Sequence, residues 1–479
     1  MINAAASNRP GSIPQQVQEL SIESSDTLRA LSSPCRGVCM EDSTAALPSL
    51  PSSCTEPSLS ITTFNILAPI YKRIGPDENC RESDYHDAWY KRNLDIIRML
   101  LSNDSSIICL QELWLENEEL VHLYEDSLNR HGYDVFTLRR TSGRGDGLLT
   151  AIKRDRFSVL TCKDLRFNDF GDRVAQILHL RVKVPFFRRN QIAEQQMLLV
   201  NTHLLFPHNS SFCLIRLWQV YKIIECLEKF MVEHGLTPVP VILCGDWNGS
   251  KRGHVYKFLR SQGFVSCYDS AHRYKDEDAH RWISHRNHRG NVCGVDFIWL
   301  RNPGKTHQPL SLSWKEAVLG IIMKLLQAKL CEAGESAKEI YRQVLEMGCR
   351  LSFYDLQKRL YQLGFTARSA EKMVDGEIKD LLQSFYIEMD DLKKYSVFPP
   401  STSTDNVITH TTNSSNVKML NCVSLDANSA SRYKSVLGLT IQGASLFPPL
   451  VEQGMWPEDF ALSDHAPLTV ILRPRKISD

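Results

Sequence analysis

Across 479 residues no apolar run approaches the roughly 20 residues that span a bilayer. The stretch Ala317-Val318-Leu319-Gly320-Ile321-Ile322-Met323 is cut by Lys324 and reads as a buried helix face. A charged n-region followed by an apolar core is missing from the N-terminus, so no secretory signal is expected. The Ser-rich start carries Glu19, Glu23, Asp26, Glu41 and Asp42, a poor composition for a transit peptide. Net charge is nearly absent as well: 56 Lys+Arg against 55 Asp+Glu leave +1, which excludes a polycation or an acidic tail but not a local basic groove. The 14 cysteines form no metal framework, because Cys35 and Cys39 have no second pair at zinc spacing. Cys109, Cys226, Cys244 and Cys293 lie in apolar segments and read as buried thiols of a reducing compartment, cytoplasmic or nuclear.

The chain has length for about three domains at ~150 residues each, and its composition shifts along it. Residues 1–57 are rich in Ser, Pro and Ala and read as a disordered arm. From residue 58 to 302 strand-like runs alternate with helical patterns. The strands include Leu59–Phe64, Ile107–Leu110, Met197–Val200 and Val241–Cys244; the helices include Ala88–Leu101 and Cys213–Glu233. Residues 303–455 read as an insertion, helical over 314–395 and Ser/Thr/Asn-rich over 396–431, and residues 456–475 close the first domain with a final strand.

Polar residues gather where the apolar strands stop. Asn65 follows Phe64, Glu112 follows Leu110-Gln111, His203 follows Asn201-Thr202, and Asp246 and Asn248 flank Trp247. Asp296 sits between Val295 and Phe297, and Asp464-His465 precedes the last strand. A carboxylate at a buried strand end is costly unless it is paired or binds a cation. Several such ends at one sheet edge would make an acidic, histidine-bearing pocket suited to a hard cation. Taken singly, each cluster is equally a turn residue, a helix start or a satisfied core histidine.

In this order, Phe64-Asn65, Leu110-Gln111-Glu112, Asn201-Thr202-His203-Leu204, Gly245-Asp246-Trp247-Asn248, Val295-Asp296-Phe297 and Ser463-Asp464-His465 resemble the motif series of the endonuclease/exonuclease/phosphatase superfamily. Arg144-Gly145-Asp146-Gly147 resembles its Asp-Gly strand start. The flanks Val255-Tyr256-Lys257-Phe258-Leu259 and Arg216-Leu217-Trp218-Gln219 are similar to those of the carbon-catabolite-repressor and nocturnin deadenylases. The gap between Asp296 and Asp464 resembles that of plant members with an inserted EF-hand module. Here the sequence departs from the pattern: with Asp375-Gly376 at loop positions 5 and 6, Met373 falls at 3 and Leu382 at 12, where oxygen ligands are required.

The resemblance implies an α+β fold, a four-layer α/β-β/α sandwich of deoxyribonuclease I type, with a helical EF-hand-like insertion. It implies a metal-dependent hydrolase of phosphodiester bonds, using Mg²⁺ with Mn²⁺ as an alternative, and RNA as substrate in the manner of a poly(A) deadenylase. Glu112 and Asp464 are then the metal ligands. Asp246 is the general base, Asn248 orients the water, and His203 and His465 donate to phosphate oxygens. Asp296 fixes His465, and Asn65 lies near the metal. Arg173, Lys251, Arg252 and Trp282 are candidate substrate contacts, Trp282 as a stacking surface. The degenerate loops are not expected to hold Ca²⁺, and the helical insertion is a candidate surface for a protein partner. The alternatives are the same chemistry on a phosphoinositide, sphingolipid or nucleotide, and a calcium-linked adaptor without catalysis.

Overall fold

The computed structural model describes residues 58–75, 80–168, 171–183, 195–207, 212–236, 238–314, 316–318, 320–321 and 435–478. The N-terminal arm and nearly all of the EF-hand-like insertion lie outside the described residues.

The apolar runs become the inner strands of two six-stranded sheets. The first sheet holds β1 (Leu59–Asn65), β2 (Ile107–Trp114), β3 (Tyr133–Arg139), β4 (Asp146–Lys153), β13 (Ser435–Leu446) and β14 (Leu468–Ser478), in the order β13-β14-β1-β2-β4-β3. The second holds β5 (Phe157–Arg166), β6 (Val174–Val182), β7 (Gln196–His203), β8 (Val241–Asp246), β9 (Val265–Ser266) and β12 (Asp296–Arg301), in the order β5-β6-β7-β8-β12-β9. A small hairpin, β10 (His285–Arg286) with β11 (Val292–Cys293), stands apart from both.

Alternation of side chains along the strands builds the layers. In β2, Ile107 and Cys109 join the apolar core shared with the second sheet. Ile108 and Leu110 pack instead with Ile96, Ile97 and Leu100 of helix α1 (His86–Ser102) and with Leu120, Tyr124 and Leu128 of α2 (Glu118–Arg130). The second sheet is covered by α3 (Phe212–Glu233) through Leu217, Val220, Ile224 and Leu227, and by α4 (His254–Ser261) through Phe258 and Leu259. The short α5 (Cys267–His272) packs against β12 and β13. The result is the helix, sheet, sheet, helix stack of the deoxyribonuclease I-like fold. At ~1.5–3 kcal/mol per large buried apolar side chain, this double core carries the main favourable term of folding. Among the described residues, no helix is long and apolar enough to cross a membrane.

Helix ends follow local chemistry. Asn117 caps α2 by accepting from Leu120 N at 2.9 Å, and Glu118 and Glu119 in its first turn suit the positive end of the helix dipole. Ser266 caps α5 in the same manner, accepting from Asp269 N at 3.3 Å.

Topology decides where the site falls. β1 and β2 are parallel and joined through α1; β7 and β8 are parallel and joined through α3. Their C-terminal ends therefore share one edge of each sheet, the usual ligand edge of parallel strands. β12 runs antiparallel to β8 with Asp296 opposite Asp246, so its first residue reaches the same edge. β14 runs antiparallel to β1 with Leu468 opposite Thr63, which brings Asp464 and His465, just before it, to the end of β1.

One boundary moves. The insertion drawn to residue 455 extends too far, because β13 pairs along β14 from Ser435 to Leu446 and is an edge strand of the first sheet. Its Gly438 and Gly443 and a register shift after Ile441 hide the alternation that marks the inner strands. Among the cysteines, Cys109 and Cys244 are buried, whereas Cys226 is half-buried and Cys293 exposed on β11. All eight cysteines of the described residues are free thiols.

Candidate active site at the shared sheet edge

Two irregularities aim the first site residues. β2 carries a bulge between Gln111 and Leu113, and Glu112, inside it, has a φ of 60°. A non-glycine residue held in the left-handed region is strained, and the bulge turns the Glu112 carboxylate out of the ladder toward the pocket. In β8, Gly245 has a φ of 146°, and a Cβ there would collide with the Thr202 carbonyl of β7. Only glycine lets the two strands close up immediately before Asp246.

Beneath the pocket a buried amide pair pins the sheets together. Gln111 Nε2 donates to Asn201 Oδ1 at 2.8 Å, and Asn201 Nδ2 donates to the Leu149 carbonyl at 3.0 Å. Asn201 lies in β7 and Gln111 in β2, so the edges that carry His203 and Glu112 are held in fixed register.

Asn65 sits at the centre. Its Nδ2 donates to Glu112 Oε1 and to Asp246 Oδ2, each at 3.1 Å, and lies 3.4 Å from His465 Nε2. Ala68 N donates to the other Glu112 oxygen at 3.3 Å. On the far side His465 Nδ1 donates to Asp296 Oδ2 at 2.9 Å, and Ser284 Oγ donates to the same oxygen at 2.7 Å. His465 Nε2 then faces the pocket, 3.7 Å from Asp246 Oδ2 and 3.9 Å from Asp464 Oδ1. Asn248 has a φ of 47°, a conformation asparagine tolerates, and its backbone N donates to Asp246 Oδ1 at 2.9 Å.

The two histidines are in opposite states. Asn248 Nδ2 donates to the Leu204 carbonyl at 2.9 Å, which can only accept, so the amide orientation is fixed and its second proton goes to His203 Nε2 at 3.0 Å. His203 is therefore neutral with its proton on Nδ1. Burial and the charges of Arg173, Arg140 and His465 push its pKa well below 6.5. For His465, burial also works against the charge, but Asp296, Asp246 and Asp464 outweigh it and hold its pKa well above 6.5.

Acidic groups dominate the pocket. Burial, followed by the charges of Asp146 and Asp464, pushes the Glu112 carboxyl up to about 7. Burial likewise raises Asp246, with His465 pulling it back. Asp464 sits at the rim; burial would raise it, but the hydrogen bond from His285 and the charges of His465 and His285 hold it below the usual carboxylate range. Two clusters could each hold a metal ion: Asp246, Asp296 and His465, and His285, Asp464 and His465. In the first of these clusters Asp296 Oδ1 is buried and without a partner, a lone pair that a divalent cation would satisfy, while Glu112, raised by burial and by Asp146 and Asp464, lies outside both clusters.

Sequence reasoning gave no site role to several members. Asp146, the start of β4, accepts from Arg140 at 2.8 Å and from the Tyr71 hydroxyl at 2.7 Å. It opens a buried strand, and its signal is the Asp-Gly strand start of the resemblance rather than the stop of an apolar run. His285 stacks on His465 with ring centroids 4.3 Å apart and arrives on a hairpin with no apolar run to announce it. Ser284 has no sequence signal at all.

Of the expected substrate contacts, Arg173 lines the pocket beside Arg140, Asp146 and His203, and Arg252 is exposed. Trp282 and Lys251 require correction. Trp282 is 2% exposed, packed on Tyr268 and Phe297 at centroid distances of 4.1 and 5.2 Å, so no base can stack on it. Lys251 is 3% exposed and donates to Asp269 Oδ1 at 2.8 Å, so its charge is already neutralised inside the protein.

Comparison with known proteins agrees with this architecture. Residues 62–318 match the model of the endonuclease/exonuclease/phosphatase family. An uncharacterized calcium-binding protein of Arabidopsis thaliana is 45% identical over 439 residues, covering 89% of this chain and 87% of its own. The chain belongs to the endonuclease/exonuclease/phosphatase family. It is a hydrolase of that family, and members of the family generally depend on a divalent metal. Carbon catabolite repressor protein 4 homolog 1 of A. thaliana is 26% identical, over 40% of this chain and only 35% of its own length. Protein angel homolog 2 of Danio rerio is 28% identical, over 36% and 30%. The chain thus spans about a third of the length of these two relatives. The human Nocturnin catalytic domain with bound sulfate is similar at 20% identity and a TM-score of 0.39, over 51% of this chain and 82% of that domain.

Proposed function

We propose that this family member is a Mg²⁺-dependent hydrolase of RNA phosphodiester bonds, of the poly(A) deadenylase-like type. The observation that carries the reading is the convergence of Asn65, Glu112, Asp246 and His465, from four separate strands or strand ends, with contacts of 3.1 to 3.4 Å to the Asn65 amide. RNA is favoured as substrate by the resemblance of the flanks at Arg216–Gln219 and Val255–Leu259 to those of deadenylases.

Glu112 would hold the ion, with Asn65 beside it and Asp464 at the rim. When bound, a divalent cation supplies charge neutralisation at the phosphate oxygens and stabilises the leaving oxygen. The remaining work falls to the chain. Asp246, made more basic by burial, takes a proton from the attacking water, and Asn248 holds its carboxylate in place through the backbone bond to Oδ1. His465, protonated and anchored by Asp296, donates from Nε2 to a non-bridging oxygen as negative charge builds there. His203 contributes as a neutral group: its Nδ1 is buried without a partner, 3.8 Å from Glu112 Oε1, and would be free to donate to a phosphate oxygen. Arg173 gives the pocket a fixed positive charge near its acids.

The test is a panel of poly(A), mixed RNA, DNA, a phosphoinositide and sphingomyelin, each with Mg²⁺ or a chelator. Shortening of poly(A) that needs Mg²⁺ and weakens steeply with salt is expected. Turnover of the phosphoinositide or sphingomyelin with RNA left intact would overturn the substrate. Although one relative is named for calcium binding, the insertion here lacks oxygen ligands at EF-hand positions 3 and 12. Micromolar Ca²⁺ is therefore expected to leave the rate unchanged.

A further inference from the structure

The pocket is assembled from segments about 400 residues apart, and one side chain outside it holds the two together. Arg92 lies in α1 and is 7% exposed. Its Nη1 donates to the Ile66 carbonyl and to the Leu462 carbonyl, each at 2.8 Å, and its Nη2 donates to the Leu67 carbonyl at 2.8 Å. The remaining donors are committed to Glu82, with Nε at 2.9 Å from both carboxylate oxygens. Ile66 and Leu67 immediately follow Asn65, and Leu462 immediately precedes Ser463-Asp464-His465. One planar guanidinium thus ties the loop that carries the central amide to the loop that carries the rim carboxylate and the protonated histidine.

Neighbouring contacts extend the tie. Ser463 Oγ donates to the Asn65 carbonyl at 2.7 Å and accepts from His465 N at 3.1 Å. Lys72 Nζ donates to the Ala461 carbonyl at 3.1 Å and lies 3.3 Å from Glu82. Leu67 has a φ of 54°, and its N–H donates to Asn65 Oδ1 at 3.1 Å, so the carbonyl that Arg92 holds belongs to the residue that orients the Asn65 amide. The guanidinium fork matches several acceptors in one plane; an ammonium group is a point charge and cannot reach all of them.

We propose that Arg92 is a positioning residue for the reaction, setting the separation between the Asn65–Glu112 and Asp464–His465 halves of the pocket, with Glu82 locking its orientation. This rests on the pocket being the catalytic site and is independent of which phosphodiester is cleaved. The full-length Arg92→Lys and Glu82→Gln variants are compared with wild type on bis(4-nitrophenyl) phosphate for kcat and KM, and by titration with Mn²⁺ alone for affinity. Tyr124→Phe, which removes a buried bond of 2.9 Å to Asn93 in the same layer without touching either loop, is the control. Displacing one half of such a site by ~1 Å costs on the order of 10²-fold in rate. Arg92→Lys is therefore expected to lose ~30-fold or more in kcat with KM within about threefold, and to bind Mn²⁺ ~tenfold more weakly, with Glu82→Gln following in part. If Arg92→Lys does not fold, Glu82→Gln decides alone. A folded Arg92→Lys with wild-type kcat and Mn²⁺ affinity would overturn the proposal, as would Tyr124→Phe losing kcat as severely. A wild-type chain that cleaves the model diester but not RNA would remove the RNA reading and leave the role of Arg92 standing.

Discussion

Two buried polar networks lie on the second sheet, and they are built on opposite terms. Around Asp269 every charge is answered: Lys251 Nζ donates to one carboxylate oxygen at 2.8 Å and the Tyr256 hydroxyl to the other at 2.7 Å. Around Asp246 the acids outnumber their partners. Asp246 and Glu112 are pushed upward, and Asp296 Oδ1, Asp146 Oδ2 and His203 Nδ1 are buried without a hydrogen bond. The first arrangement holds a local conformation; the second stores unfavourable electrostatics that a cation and a phosphate would relieve. Residue types alone do not separate the two, since each combines an aspartate with basic or amide groups. Satisfaction of the polar atoms does.

The sharpest way to break this contrast is to remove acids from the unbalanced network. Glu112→Ala and Asp246→Ala are each expected to lower kcat by ~10³-fold or more, while the melting temperature of the metal-free protein holds or rises because a crowded charge has gone. Retained turnover in either purified variant would take that residue out of the mechanism. The opposite outcome is expected from Lys251→Met. Leaving Asp269 unpaired should cost about 3–5 kcal/mol in chemical denaturation, with kcat of the folded fraction unchanged.

Asp296→Asn sharpens the comparison inside the pocket. Without that carboxylate the pKa of His465 falls, so the alkaline limb of the pH–rate profile should move to lower pH and kcat should drop by ~10²-fold. An unmoved profile would show that His465 does not act as the proton donor. The smallest effect concerns Glu112. In the metal-free protein its carboxyl keeps the proton up to about pH 7, whereas the unfolded chain releases it near 4.5. Between those values the folded state binds more protons, so its contribution to stability declines as pH rises across that window. Metal must displace the same proton, so Mg²⁺ affinity is expected to fall by up to ~tenfold per pH unit below 7. Calorimetric titration at pH 6 and pH 8 checks both signs.

How much of this was legible beforehand depended on whether the signal was local. The inner strands and α1 and α3 show in periodicity because a strand or helix face is written in neighbouring residues. Asn65, Glu112, His203 and Asp246 stand out because each ends an apolar run. The failures share the opposite property. Lys251 reads as a groove residue until Asp269, eighteen positions on, is seen to absorb its charge. Trp282 reads as a stacking surface because its cover, Tyr268 and Phe297, comes from elsewhere in the chain. The division of labour between His203 and His465 is invisible in sequence, since it is set by Asn248 and Asp296, which lie 45 and 169 residues from their histidines.

The position of β14 carries a consequence for assembly of the fold. Leu468–Ser478 follows the other described strands in sequence, yet it is an interior member of its sheet, inserted between β13 and β1. Until β14 docks, β1 keeps an unpaired edge and the pocket lacks His465. Closure of the first sheet and completion of the pocket are therefore one event.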